Sequence, residues 1–96
     1  MNESNLSDAS LAELLTLTVE VNQRGNIRYR NHLGQMHRVH GPAVITLSGT
    51  RYWYQNNQLH RIHGPAIETE TDGYKRWFLN GEHLTEEEWN ERVKSL

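Results

Sequence analysis

With 96 residues and 35% hydrophobic content, the chain has room for a single domain, spanning 1–96, with a thin core, because small domains bury a smaller share of their surface. Ten Lys and Arg against twelve Asp and Glu leave a net charge of −2, which argues against a surface dedicated to nucleic acid. The absence of cysteine excludes disulfides and thiolate metal sites and fits a reducing cytoplasm.

In chain order, the first expected element is a short helix over 7–15. Ser7 or Ser10 can cap it, Glu13 stands where a capping-box partner of Ser10 would, and Leu11, Leu14 and Leu15 share one face. No apolar run reaches membrane-spanning length, and Met1-Asn2-Glu3-Ser4 lacks the basic region of a signal peptide, so no membrane partner is expected. Leu17, Val19 and Val21 then alternate with Thr16, Thr18 and Glu20. Arg24-Gly25-Asn26 supplies a turn, and Ile27 and Tyr29 alternate on the way back, giving a first hairpin over 16–31.

A repeated phrase follows. Met36-His37-Arg38-Val39-His40-Gly41-Pro42-Ala43-Val44 returns 23 residues later as Leu59-His60-Arg61-Ile62-His63-Gly64-Pro65-Ala66-Ile67. Around it, Gly49…Trp53-Tyr54 matches Gly73…Trp77-Phe78 and, more loosely, Gly25…Tyr29-Arg30, in steps of 24 residues. A fixed period in this range predicts a repeat architecture, here over 25–84. Each unit reads as an aromatic strand, a turn (Leu33-Gly34, Asn56-Asn57, Asn80-Gly81), a His-Arg segment, a Gly-Pro break and a β-branched strand. In the second β-branched strand Glu68 and Glu70 stand in place of Ile45 and Leu47, which predicts one wet face, with Ile67 and Thr69 toward the core. The third unit gives way to a capping helix over 85–96: Thr85 and Glu88 form a capping box, Leu84 staples onto Trp89, and Trp89, Val93 and Leu96 make an apolar stripe. The expected fold is therefore mainly β (α+β), an antiparallel meander of repeated hairpins with a helix at each end.

The chain resembles a family of small repeat proteins encoded mostly by bacteriophages and prophages. Their units read roughly Gly-x-x-x-Trp-Tyr-x-x-Gly-x-x-His-Arg-x-x-Gly-Pro-Ala and are distant in style from the β-hairpin membrane-occupation repeats. The resemblance covers Gly25 to Gly81 and the closing Leu-Thr-x-x-x-Trp helix. It departs from that pattern at Asn57, where the family usually has Gly, and at His40 and His63, where an acidic residue is frequent. The resemblance implies stacked hairpins and a protein partner in the host or phage.

Two sets of residues compete for a functional role. His37, His40, His60 and His63 form two His-x-x-His pairs that could hold a metal ion; the alternative is a structural role for His37 and His60, required once in each unit. Arg38 and Arg61 are expected to stack on Trp53 or Trp77. Tyr52 and Tyr54 flank Trp53 and point away from it if it points inward, so with Arg51 and Arg76 they are the candidate protein-binding residues. No nucleophile elbow, phosphate loop or carboxylate pair is present, so no catalysis and no cofactor are expected. Interleaved Arg and aromatic residues admit a weak single-stranded nucleic-acid binder as a further alternative, and open sheet edges admit self-association. The leading expectation is a non-enzymatic protein-binding module, plausible as an inhibitor of a host defence or metabolic enzyme and acting in the cytoplasm.

Overall fold

A computed structural model describes residues 15–96 of the chain, which fold into antiparallel β structure closed by a C-terminal helix. The strands are β1 (Thr18–Val21), β2 (Ile27–Arg30), β3 (Val44–Ile45), β4 (Thr50–Tyr52), β5 (Tyr54–Gln55), β6 (Gln58–Leu59), β7 (Ile67–Thr69), β8 (Lys75–Leu79) and β9 (Glu82–Leu84), followed by α1 (Glu86–Lys94). Among these residues, seven strands form a sheet in the order β1-β2-β3-β4-β7-β8-β9, while β5 and β6 pair only with each other. Of the helix expected over 7–15, residues 7–14 lie outside the described residues; Leu15 and Thr16 are helical.

The hairpin expected over 16–31 forms from β1 and β2 in the register Thr18↔Arg30 to Val21↔Ile27. Asn22 holds its turn, with Oδ1 accepting from the N–H groups of Arg24 and Asn26 at 2.9 and 3.0 Å. The two asparagine turns also form as expected. Asn56 and Asn57 have φ of 51° and 68°, and Asn80 and Gly81 have 50° and 84°, so both central residues of each turn are left-handed. That geometry matches the twist of the flanking strands. The turn expected at Leu33-Gly34 also forms, one residue longer than the asparagine turns: Gly34 N–H donates to Asn31 O at 2.9 Å, and Gly34 has φ of 79°. Asn31 Oδ1 accepts from the N–H groups of Leu33 and Gln35 at 2.9 and 3.0 Å, leaving a single bridge between Arg30 and Met36.

At Trp53 the chain changes partners. Its N–H donates to Ala66 O at 2.7 Å, while its carbonyl accepts from His60 N–H at 2.9 Å. The β5–β6 hairpin therefore lifts out of the sheet, and β4 pairs directly with β7. Tyr29 does the same one motif earlier, donating to Ala43 O at 2.7 Å and accepting from His37 N–H at 3.1 Å.

Alternation along the strands then sorts the side chains. Tyr29, Trp53 and Trp77 share one face, and each ring is covered. The Arg38 guanidinium lies 4.0 Å from the Tyr29 centroid and that of Arg61 lies 3.7 Å from Trp53. Over Trp77 the cover is the Trp89 ring, with centroids 4.8 Å apart. The arginines thus stack as expected, but on Tyr29 and Trp53 rather than on Trp53 and Trp77. Arg38 and Arg61 Nη1 also donate to the carbonyls of Pro42 and Pro65 at 3.2 and 3.1 Å. The Ala43 and Ala66 side chains that follow are fully buried, with 0% exposure.

Glycine is required beside each stacked arginine. A Cβ on Gly64 would stand 2.9 Å from Arg61 Nη1, and one on Gly41 would stand 2.8 Å from Arg38 Cζ. The ring behind each guanidinium prevents it from simply backing away. Gly64→Ala is therefore expected to cost about 1–3 kcal/mol, read as a lowered midpoint in urea denaturation. An unchanged midpoint would show that the guanidinium slides aside freely.

Glu68 corrects one expectation. It lies on the ring-bearing face, where its carboxylate meets Arg51 at 3.2 Å and Arg61 at 3.6 Å with only 20% of the side chain exposed. Ile67 and Thr69 lie on the other face, and the hydroxyls of Thr69 and Thr50 approach to 3.0 Å. Burial pulls the Arg61 pKa down from its ordinary value; Arg51 nearby adds to this and Glu68 opposes it.

The core proper sits under α1. Leu79, Leu84 and Trp89 are buried, with Trp77 and Val93 packed against them. The capping box forms as expected: Glu88 N–H donates to Thr85 Oγ1 at 3.1 Å, and Thr85 N–H donates to Glu88 Oε1 at 2.9 Å. Trp89 Nε1 donates to Arg61 O at 2.8 Å, tying the helix to the second His-Arg motif. Leu96 is not part of the apolar stripe; it is 79% exposed.

Candidate protein-binding face

The register places Glu20, Arg28, Val44, Tyr52, Ile67 and Arg76 in one cross-strand row, each opposite the next on adjoining strands. This row lies on the face opposite Tyr29, Trp53 and Trp77. The helix α1 packs on the other face, through Trp77; in the row, Arg28, Val44, Tyr52 and Ile67 are half-buried and Arg76 is exposed. Tyr52 and Tyr54 stack here with centroids 6.4 Å apart and an interplanar angle of 29°. Together with Arg28, Met36 and Val44 they line a shallow groove of about 320 Å³. Burial, and secondarily the neighbouring Tyr52, push the Tyr54 phenol above its ordinary pKa, so the Tyr54 ring remains a neutral, apolar body with a hydroxyl donor at the tip.

Of the four expected binding residues, the structure brings Tyr52, Tyr54 and Arg76 to this face. Arg51 does not join them. It points to the opposite face, where its Nη2 meets Glu68 at 3.2 Å and Glu70 at 3.7 Å. Arg28, Met36, Val44 and Ile67 belong to the open face without having been singled out in the sequence. Their alternation was visible there; which strand lies opposite which was not.

The histidines divide by role. His37 Nδ1 accepts from Asn56 N–H at 3.0 Å, and His60 Nδ1 accepts from Asn80 N–H at 2.9 Å. Each therefore anchors the turn of the following hairpin. His40 and His63, three residues on, are exposed and line a cleft of about 440 Å³ that includes Trp53, His60 and Arg61. Among the described residues, no three His, Asp or Glu side chains are grouped to hold a metal ion. The turns take up Nδ1 of the first imidazole of each pair and leave the second imidazole exposed.

An accepting Nδ1 requires neutral imidazole. Burial lowers the His60 pKa from its ordinary 6.5. The unfolded chain then binds the proton more readily than the folded one, so this contribution to stability is present above about 6.5 and is lost as the pH falls through that value toward the folded pKa. Urea midpoints measured over that range are expected to fall on acidification. His60→Asn, whose Oδ1 can accept the same bond, is expected to flatten the decline; an equally steep decline in the variant would remove His60 from the explanation.

No protein-family model, curated protein or solved structure matches the chain. The face is thus interpreted through its own chemistry. No helix among the described residues is long and apolar enough to cross a membrane.

Proposed function

We propose that this protein is a non-enzymatic binding module of phage or prophage origin that works by holding a host protein against its Tyr52–Tyr54 face, as an inhibitor of a defence or metabolic enzyme in the host cytoplasm. The observation that carries the binding role is the stacked, half-buried Tyr52–Tyr54 pair on the sheet face opposite the one that α1 covers. Large rigid rings with a polar tip give much contact area for little lost side-chain freedom, which is why they concentrate at the centres of protein interfaces. The origin and the host target rest on the resemblance of the His-Arg-x-His-Gly-Pro-Ala units to phage-encoded repeats.

The same reading takes the fold as three stacked hairpin units with α1 as the closing cap. Matching contacts support it. His37 and His60 anchor the next turn, Arg38 and Arg61 cover the preceding ring, and Trp89 takes the covering position over Trp77. The ring-bearing face is thereby spent on holding the units together, which leaves the opposite face for a partner.

Affinity capture on immobilised chain, compared with a Tyr52→Ser/Tyr54→Ser variant, tests the role. A host protein retained by the parent and lost from a variant that still folds is the expected result. Equal retention by both would place binding elsewhere on the molecule.

A further inference from the structure

We infer that the partner segment seated on the Tyr52–Tyr54 face is an acidic protein segment, with apolar residues at its centre and carboxylates toward its ends. This rests on the reading of that face as a protein-binding surface and gives the partner its chemistry. The row Arg28–Val44–Tyr52–Ile67–Arg76 has an apolar centre and an arginine at each end. Four strand intervals of about 4.8 Å put those arginines roughly 19 Å apart at the backbone.

The charge distribution points the same way. On the ring-bearing face Arg51 and Arg61 share Glu68, and Arg92 meets Glu82 at 2.8 Å. On the open face Arg28 and Arg76 have no carboxylate partner among the described residues. Arg76 instead lies 4.2 Å from the Tyr74 ring centroid and donates to Lys75 O at 2.9 Å. The one carboxylate in the row, Glu20, is occupied by Arg30 at 3.0 Å. A chain with a net charge of −2 therefore presents a locally basic strip with an apolar middle, and complementary charge steers and registers a partner on such a strip.

The alternative polyanion, single-stranded nucleic acid, fits less well. Phosphates need a continuous basic track and bases need ring after ring. Here two separated arginines flank Val44 and Ile67, aliphatic side chains that suit the apolar side chains of a peptide and offer no ring to a base.

Selection from a random peptide library on the immobilised full chain tests this, run in parallel on Arg28→Gln/Arg76→Gln and on Tyr52→Ser/Tyr54→Ser. From the parent, recovered peptides are expected to carry Asp or Glu on both sides of an apolar centre. The arginine variant should keep the apolar preference, lose the acidic one, and bind a recovered acidic peptide about fivefold more weakly. That loss should be matched by weakening of the parent's own binding as salt is raised. Apolar peptides with no acidic preference, bound equally by parent and arginine variant, would overturn this inference and leave the protein-binding reading standing. No Tyr-dependent peptides at all, or salt-sensitive binding of oligothymidylate that the tyrosine variant abolishes, would overturn both.

Discussion

Trp89→Ala is expected to remove about 3–5 kcal/mol of folding stability, a large share of the roughly 5–15 kcal/mol that holds a domain together. Trp89 is 8% exposed and shares a buried cluster with Leu79 and Leu84. Its ring lies 4.8 Å from Trp77, and its Nε1 satisfies the carbonyl of Arg61 at 2.8 Å. Removing it opens a cavity, uncovers Trp77 and leaves α1 without its anchor. Urea denaturation followed by tryptophan fluorescence reads the loss, and the uncovered apolar surface should also appear as self-association in sedimentation. Trp89→Phe keeps the ring but not the donor, so it should lose only about 1 kcal/mol. If the alanine variant were as stable as the parent, the helix would be an ornament on the sheet and not its cap.

Trp53→Ala carries the second large effect, about 2–3 kcal/mol, reduced from the fully buried case because the ring is half-exposed. The Arg61 guanidinium rests 3.7 Å from this ring while its Nη1 is held by Pro65 O. Without the ring, Arg61 loses its support and its contact with Glu68 loosens. Arg51 should then take a larger share of Glu68. The Tyr52→Ser/Tyr54→Ser variant, altered on the opposite face, is expected to lose clearly less stability in the same urea titration. Equal losses from the two variants would mean that both faces of the sheet are core.

How far the sequence announced this structure depended on whether the deciding contact was local. Thr85 and Glu88 settle the start of α1 within a single turn. The two asparagine turns settle their hairpins through two left-handed residues each. The turn after β2 closes on a left-handed Gly34 as its glycine suggested, and the Asn31 side chain, bonding two backbone N–H groups, makes it one residue longer than the asparagine turns. Glu68 was misplaced for a longer-range reason. Its partners Arg51 and Arg61 reach it only because β4 bypasses a whole hairpin to pair with β7. The same bypass sets Tyr52 opposite Ile67 and completes the row from Arg28 to Arg76. Alternation told which residues would share a face with Tyr52 on their own strands, and only the register joined those strands into one surface.

Hydroxyl-radical footprinting of the chain, alone and bound to a protein captured by it, tests the central claim most directly, since it reports side chains one at a time. The open face predicts that Met36, Tyr52 and Tyr54 lose reactivity on binding while Tyr29 and Trp53 keep theirs. Protection confined to Trp53, His40 and His63, with Tyr52 and Tyr54 unchanged, would place the partner on the opposite side of the sheet and contradict the account.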